Sequence, residues 1–160
     1  MVIFSGILLI LVAFLLWREY SLYLKREESE LCEITRFVRN MRDRMACYLE
    51  LPSAWAGEYS SDVLERVGFL PKIRSGEDVS LAYEGIKEQL LLDPDISDEL
   101  STLFAGLGDG YLEGELALVD KTIAKLDSAG ARLAPEIKNK TRAAGAMLGA
   151  LAMGAVILII

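Results

Sequence analysis

Histidine is missing from this chain of 160 residues, and cysteine and proline are scarce, at two and four. Without histidine there can be no Ser-His-Asp or Cys-His nucleophile pair and no histidine-containing zinc site. Two thiols alone do not complete a zinc site either. On one helix Cys32 and Cys47 would stand about 22 Å apart, beyond the reach of a disulfide. Free thiols suit a reducing cytoplasm. Positive charge is in deficit: 17 Lys and Arg face 24 Asp and Glu, a net charge of −7. That argues against a nucleic-acid partner, which needs a basic face to neutralise phosphates. The basic clusters sit only beside the two chain ends, so the middle has no broad adhesive face for anionic lipid.

Charge of either sign is absent from two stretches, residues 1–17 and 143–160. Each gives about 25 Å of apolar helix, near the lower limit for a hydrocarbon core of ~30 Å. The first does not read as a cleaved signal. Only Met1 and Val2 precede its apolar run, and bulky Trp17 and Tyr20 stand where small residues would be needed. The sequence predicts two transmembrane helices, 1–17 and 143–160, holding a soluble helical domain, 18–142, at a bilayer. Trp17, Tyr20 and Tyr23 fall near headgroup level. Arg18, Lys25 and Arg26 follow the first segment; Lys138, Lys140 and Arg142 precede the second. Basic flanks stay on the cytoplasmic side, which places the middle in the cytoplasm and the protein in the cell membrane.

The periodicity of the middle is helical. Leu31, Ile34, Val38, Met41, Met45 and Tyr48 recur at spacings of three and four, an apolar seam on one face. Arg36, Arg39, Arg42 and Arg44 belong to the opposite face. No Pro or Gly interrupts residues 7–51, so this helix continues from the first apolar segment, and Pro52 ends it. Further helices are expected over 52–59, 62–67, 76–90 and from Pro94 to Gly106, with Asp93 as N-cap. Phe69-Leu70-Pro71 reads as a connector. A last soluble helix is expected over 111–133, with Leu112, Leu116, Val119, Ile123 and Leu126 inward. No window alternates with period two. The fold class is all-α, an antiparallel helical bundle with an N-terminal and a C-terminal transmembrane helix.

Two motifs are set aside on chemistry. Gly106-Leu107-Gly108-Asp109-Gly110 follows a helix and lacks the Lys-Ser/Thr ending of a nucleotide loop, so it reads as a turn between helices. Asp93-Pro94-Asp95 opens like a calcium loop, but Asp98 stands where Gly is required and Phe104 where the bidentate Glu belongs. In the second apolar segment Gly145, Gly149, Ala150 and Gly154 are candidate transmembrane packing residues. Small residues four apart let helices approach closely in lipid. Their partner is either the first segment or another subunit.

The chain also shows Phe69-Leu70-Pro71, Gly76, Leu81-Ala82-Tyr83, Leu103-Phe104, Leu107-Gly108, Tyr111-Leu112-Glu113-Gly114-Glu115, Val119-Asp120 and Leu126 in order, between an N-terminal anchor and a C-terminal apolar segment. In this it resembles the stage III sporulation protein AB family, whose soluble domain is similar to the helical domain of platform protein F of type II secretion. The resemblance implies a non-enzymatic, membrane-anchored platform component of a secretion-like channel complex between mother cell and forespore, in the mother-cell membrane. It implies other membrane components of that complex and a cytoplasmic secretion-type ATPase as partners, beside the lipid bilayer. The candidate partner contact is Tyr111, Glu113 and Glu115; no catalytic residue, cofactor or metal is expected. The alternatives are a membrane-tethered helical regulator or sensor unrelated to sporulation, and a carboxylate-metal enzyme, whose usual Glu-x-x-His ligands this chain cannot supply.

Overall fold

The computed structural model describes the backbone of residues 2–48, 50, 52–108 and 110–159. It describes their side chains except at 2–7, 9, 10, 52, 53, 152, 153 and 155–159. The elements are α1 (Val2–Tyr48), α2 (Pro52–Trp55), α3 (Asp62–Arg66), α4 (Phe69–Arg74), α5 (Val79–Glu84), a 3-10 turn (Lys87–Gln89), α6 (Pro94–Ala105) and α7 (Leu112–Ile159). Among the described residues there is no strand; the fold is an all-α helical bundle. The chain divides into two compact units. One is Met1–Arg26 with Arg132–Ile160; the other is Glu27–Ala131.

The Glu27–Ala131 unit is built on the seam of α1. Leu31, Ile34, Val38, Met41 and Met45 are buried. Tyr48, expected at the end of that seam, is 70% exposed. It is the last residue of α1, beyond the point where the side chains of α2 fill the core. Phe37, which the three-and-four spacing passes over, is fully buried instead. Its ring centroid lies 5.2 Å from Trp55, 5.4 Å from Tyr59 and 5.2 Å from Phe69. Tilted and edge-on pairs of this kind add roughly 0.5–1.5 kcal/mol each beyond burial. The aromatic cluster thus draws α2 and α4 onto α1. Ion pairs from Arg39 to Asp127 and from Arg42 to Asp120 show that α7 runs antiparallel to α1, since α7 numbering falls as α1 numbering rises.

Short helices lie between the two long ones along the chain. α3 packs on α4, α4 on α5 and α5 on α6. Each start has a local cause. Ser61 Oγ accepts from Leu64 N, Asp78 from Ser80 N and Asp93 from Asp95 N, each satisfying an amide that lacks a helical partner. The expected connector at 69–71 is helical, as α4. Pro71 occupies the first turn, where no intrahelical N–H bond is lost, and Gly68, at φ 84°, turns the chain out of α3. The helices expected over 52–59 and 76–90 are shorter, ending at Trp55 and Glu84. On α7 the inward residues are Glu115, Val119, Thr122, Leu126 and Ala129; Leu112 is exposed. The buried face is rotated because Glu115 and Thr122 share it.

α7 does not stop near residue 133. It runs on through Pro135, whose missing N–H leaves the Ala131 carbonyl without its helical donor. The boundary between the units, at Ala131 and Arg132, falls beside that gap.

In the Met1–Arg26 and Arg132–Ile160 unit, Ala13, Trp17, Ser21 and Leu24 face inward on α1, as do Leu133, Ile137, Thr141, Ala144 and Leu148 on α7. The opposite face of α1 exposes large apolar side chains, among them Leu8, Leu11, Phe14 and Leu16. Among the described residues no helix is long and apolar enough to cross a membrane. Of the two expected membrane helices, the side chains of residues 1–7, 9, 10, 152, 153 and 155–160 lie outside the described residues.

Candidate interaction sites

Glu115 stands in the first turn of α7, four residues before buried Val119, and is itself only 8% exposed. The turn before it is glycine-rich because its backbone demands it. Gly108 adopts φ 93°, which side-chain-bearing residues avoid, and a Cβ at Gly106 would stand 3.2 Å from Leu118 Cδ2 and 3.3 Å from the Thr102 carbonyl. That geometry points two amides at one carboxylate. Gly108 N donates to Glu115 Oε1 at 2.9 Å and Gly110 N donates to the same oxygen at 3.1 Å. Asp109, between them, lies outside the described residues. The sequence groups Tyr111, Glu113 and Glu115 as one contact surface; the structure separates them. Tyr111 is 93% exposed and Glu113 is exposed, whereas Glu115 is turned into the protein and holds the turn.

The candidate packing residues of the second apolar segment are placed as follows. Gly145, Gly149 and Ala150 are exposed and Gly154 is half-buried. No described atom lies within 4 Å of a Cβ built at any of the three glycines. Among the described residues the inward line of α7 runs through Ile137, Thr141, Ala144 and Leu148.

Glu30, which periodicity did not single out, is 1% exposed, and its Oε2 accepts from Leu91 N at 2.6 Å. This carboxylate ties α1 to the segment before α6. The signal was present: Glu30 lies four residues before Ile34, on the seam itself, where a charge must find an internal partner. On the unit's surface, Arg44 bridges Glu50 and Glu58 at 3.2 Å each and lies 5.5 Å from the Trp55 ring centroid. Glu99 pairs with Lys125 and Lys121. The Lys125 ammonium, with Lys121 beyond it, draws the Glu99 carboxyl below its ordinary range. Glu99 thus fastens α6 to α7, and Arg44 fastens α1 to the segments on either side of α2. Among the described residues no group of three or more Cys, Asp or Glu could hold a metal ion.

Cys32 and Cys47 are free and exposed. The chain matches no family model, no curated protein and no solved structure.

Proposed function

We propose that this chain is a membrane-anchored, non-enzymatic scaffold: an acidic helical domain held at a bilayer by both chain ends, offering surfaces to protein partners. One observation carries the reading. The unit made from the chain ends exposes large apolar side chains on stretches with no charged residue, at Leu8, Leu11, Val12, Phe14, Leu15 and Leu16 on α1 and at Met147 and Leu151 on α7. In water such exposure is costly, and contiguous exposed apolar surface marks a site that something else covers. Lipid is the cover that fits two uncharged runs of about 25 Å each. The proposal takes the whole of residues 1–17 and 143–160 as the anchors.

The likeness of residues 69–126 to the stage III sporulation protein AB family supports a more specific reading. The scaffold would serve a secretion-like channel between mother cell and forespore, with a secretion-type ATPase on its cytoplasmic side. Tyr111 and Glu113 are exposed in the family-like stretch, whereas Glu115 is buried.

Impermeant maleimide labelling of intact cells tests the anchor and its orientation together. Cys32 and Cys47 are both exposed, so access to them is decided by the membrane and not by burial. The expected result is a chain that stays in membranes through an alkaline carbonate wash and is labelled only after the cells are opened. Release by carbonate removes the anchor. Labelling of intact cells reverses the orientation.

A further inference from the structure

Charge is divided between the two units instead of being spread along the chain. Glu27–Ala131 carries ten basic residues against 22 acidic ones, a side-chain charge of −12. Met1–Arg26 with Arg132–Ile160 carries seven against two, Glu19 and Glu136, a charge of +5. A second difference is independent of these sums. In the acidic unit eight of the ten cations lie within 3.8 Å of a carboxylate oxygen. In the basic unit Lys140 pairs with Glu136 at 2.6 Å, and Arg26 also has a partner. Arg18, Lys25, Arg132, Lys138 and Arg142 are exposed, and no ion pair or hydrogen bond engages them among the described residues.

The position of these cations identifies the anion they suit. Arg18 directly follows the first uncharged segment and Arg142 directly precedes the second. Residues 18–26 span about 12 Å of helix, and the same stretch exposes Tyr20 and Tyr23. Just before it the apolar face begins, with Leu16 at 66% exposure. Apolar side chains, then amphipathic rings interleaved with unpaired cations, is the order of environments met on leaving a bilayer. An acidic protein face would satisfy the cations but would leave the rings and the apolar side chains beside them uncovered. A phospholipid leaflet covers all three, and anionic headgroups attract Lys and Arg placed next to a membrane segment.

We infer that Arg18, Lys25, Lys138 and Arg142 form a basic collar that binds the phosphate headgroups of anionic phospholipids. The inference rests on the membrane-anchored reading above, and it adds a lipid class to it. The acidic unit, at −12, is repelled by the same surface. The collar therefore attracts anionic lipid locally while the rest of the domain is kept off the headgroups.

The test uses the full chain reconstituted into vesicles of phosphatidylcholine alone or with one third phosphatidylglycerol. Electron spin resonance of spin-labelled lipids reads the relative association of the two lipids with the protein. At low salt labelled phosphatidylglycerol should be preferred by roughly five-fold or more, the factor that one basic side chain near an anionic surface supplies. The preference should fall towards one in 1 M salt, where the screening length is about 3 Å. The fourfold variant R18Q/K25Q/K138Q/R142Q should lose it with unchanged helix content by circular dichroism. The double variant R66Q/K72Q, which removes cations of the acidic unit, should keep it. Should the fourfold variant lose helix content, the pair R18Q/K138Q is read in its place and should still reduce the preference at least two-fold. Equal association of both lipids with the natural chain overturns the inference, as does a preference that survives the collar substitutions. Salt-sensitive self-association that the fourfold variant loses, without lipid preference, overturns it in favour of the acidic unit of a second copy. A chain washed off the vesicles by carbonate overturns the anchored reading beneath it. A chain retained without preference overturns only the collar.

Discussion

Replacing Glu115 by Ala removes the one acceptor that the Gly108 and Gly110 amides share. A hydrogen bond to an ionised group contributes about 1.5–3 kcal/mol. Two donors on a single oxygen divide its lone pairs, and both glycines are exposed enough for water to replace part of the loss. A carboxylate in the first helical turn contributes about 0.3–1 kcal/mol more through the helix dipole. The expected cost is about 2–4 kcal/mol. At about 2–4 °C per kcal/mol for a chain of this size, Tm should fall by roughly 5–15 °C. Glu115→Gln keeps a carbonyl oxygen in place and should cost about 1 kcal/mol. Glu113→Ala, two residues away but exposed, loses only the dipole contribution and should cost less than about 1 kcal/mol. Thermal unfolding of the full chain in detergent, followed by far-ultraviolet circular dichroism, ranks the three. Equal shifts for Glu113→Ala and Glu115→Ala would refute the argument, because only helix-start charge would then matter and the turn contacts would count for nothing.

Val38→Asp sets an unpaired charge among fully buried neighbours and should destabilise by several kcal/mol in urea unfolding, whereas Arg39→Ala breaks only an exposed pair with Asp127 and should cost under about 1 kcal/mol. Phe37→Ala, at the centre of four ring contacts, should cost about 3–5 kcal/mol, and Tyr48→Ala close to nothing by the same measurement. Burial pushes the Tyr83 hydroxyl up to about 12. Below pH 10 both folded and unfolded forms are neutral; between pH 10 and about 12 only the unfolded form ionises, so stability should fall with rising pH across that window, and Tyr83→Phe should flatten the decline in alkaline denaturation. Glu30→Ala leaves the Leu91 amide without its acceptor and should raise hydrogen exchange at Leu91 while sparing the α3 and α4 amides.

The first long helix, α1, is legible because its signal is long, whereas the sequence reads as two separate helices where α7 is continuous. The seam from Leu31 to Met45 repeats often enough for one face to emerge, and Asp93-Pro94 marks the start of α6 by side-chain chemistry that acts within a few residues. What escaped the sequence is set by distant contacts. Nothing near Phe37 says that Trp55, Tyr59 and Phe69 will surround it, so its burial between two seam positions is a tertiary result. Phe69-Leu70-Pro71 reads as a connector in the sequence, yet Pro71 falls in a first turn, where proline is harmless to a helix. Glu115 looked like a surface acid because a carboxylate defaults to water; its two partners lie in a turn whose glycine conformations the sequence only hints at. Gly145 and Gly149 have the spacing of a helix contact, but spacing does not name the partner.

The pairing of α1 with α7 has a consequence for how the chain reaches its fold. Arg42 meets Asp120 across 78 residues and Arg39 meets Asp127 across 88, whereas α3 packs on α4, α4 on α5 and α5 on α6. The short helices can assemble early from local contacts; the long pair must first close a loop whose entropy costs about 4 kcal/mol plus a constant. Until it closes, Ile34, Val38 and Met41 on α1 are wet and open to the seam of any neighbouring chain. If both ends enter one bilayer, as proposed, the membrane brings the ends of that loop together beforehand. The anchors would then be folding aids as well as tethers, and a chain cut at residue 142 would be slow to fold and prone to aggregate, whatever the stability of its finished core.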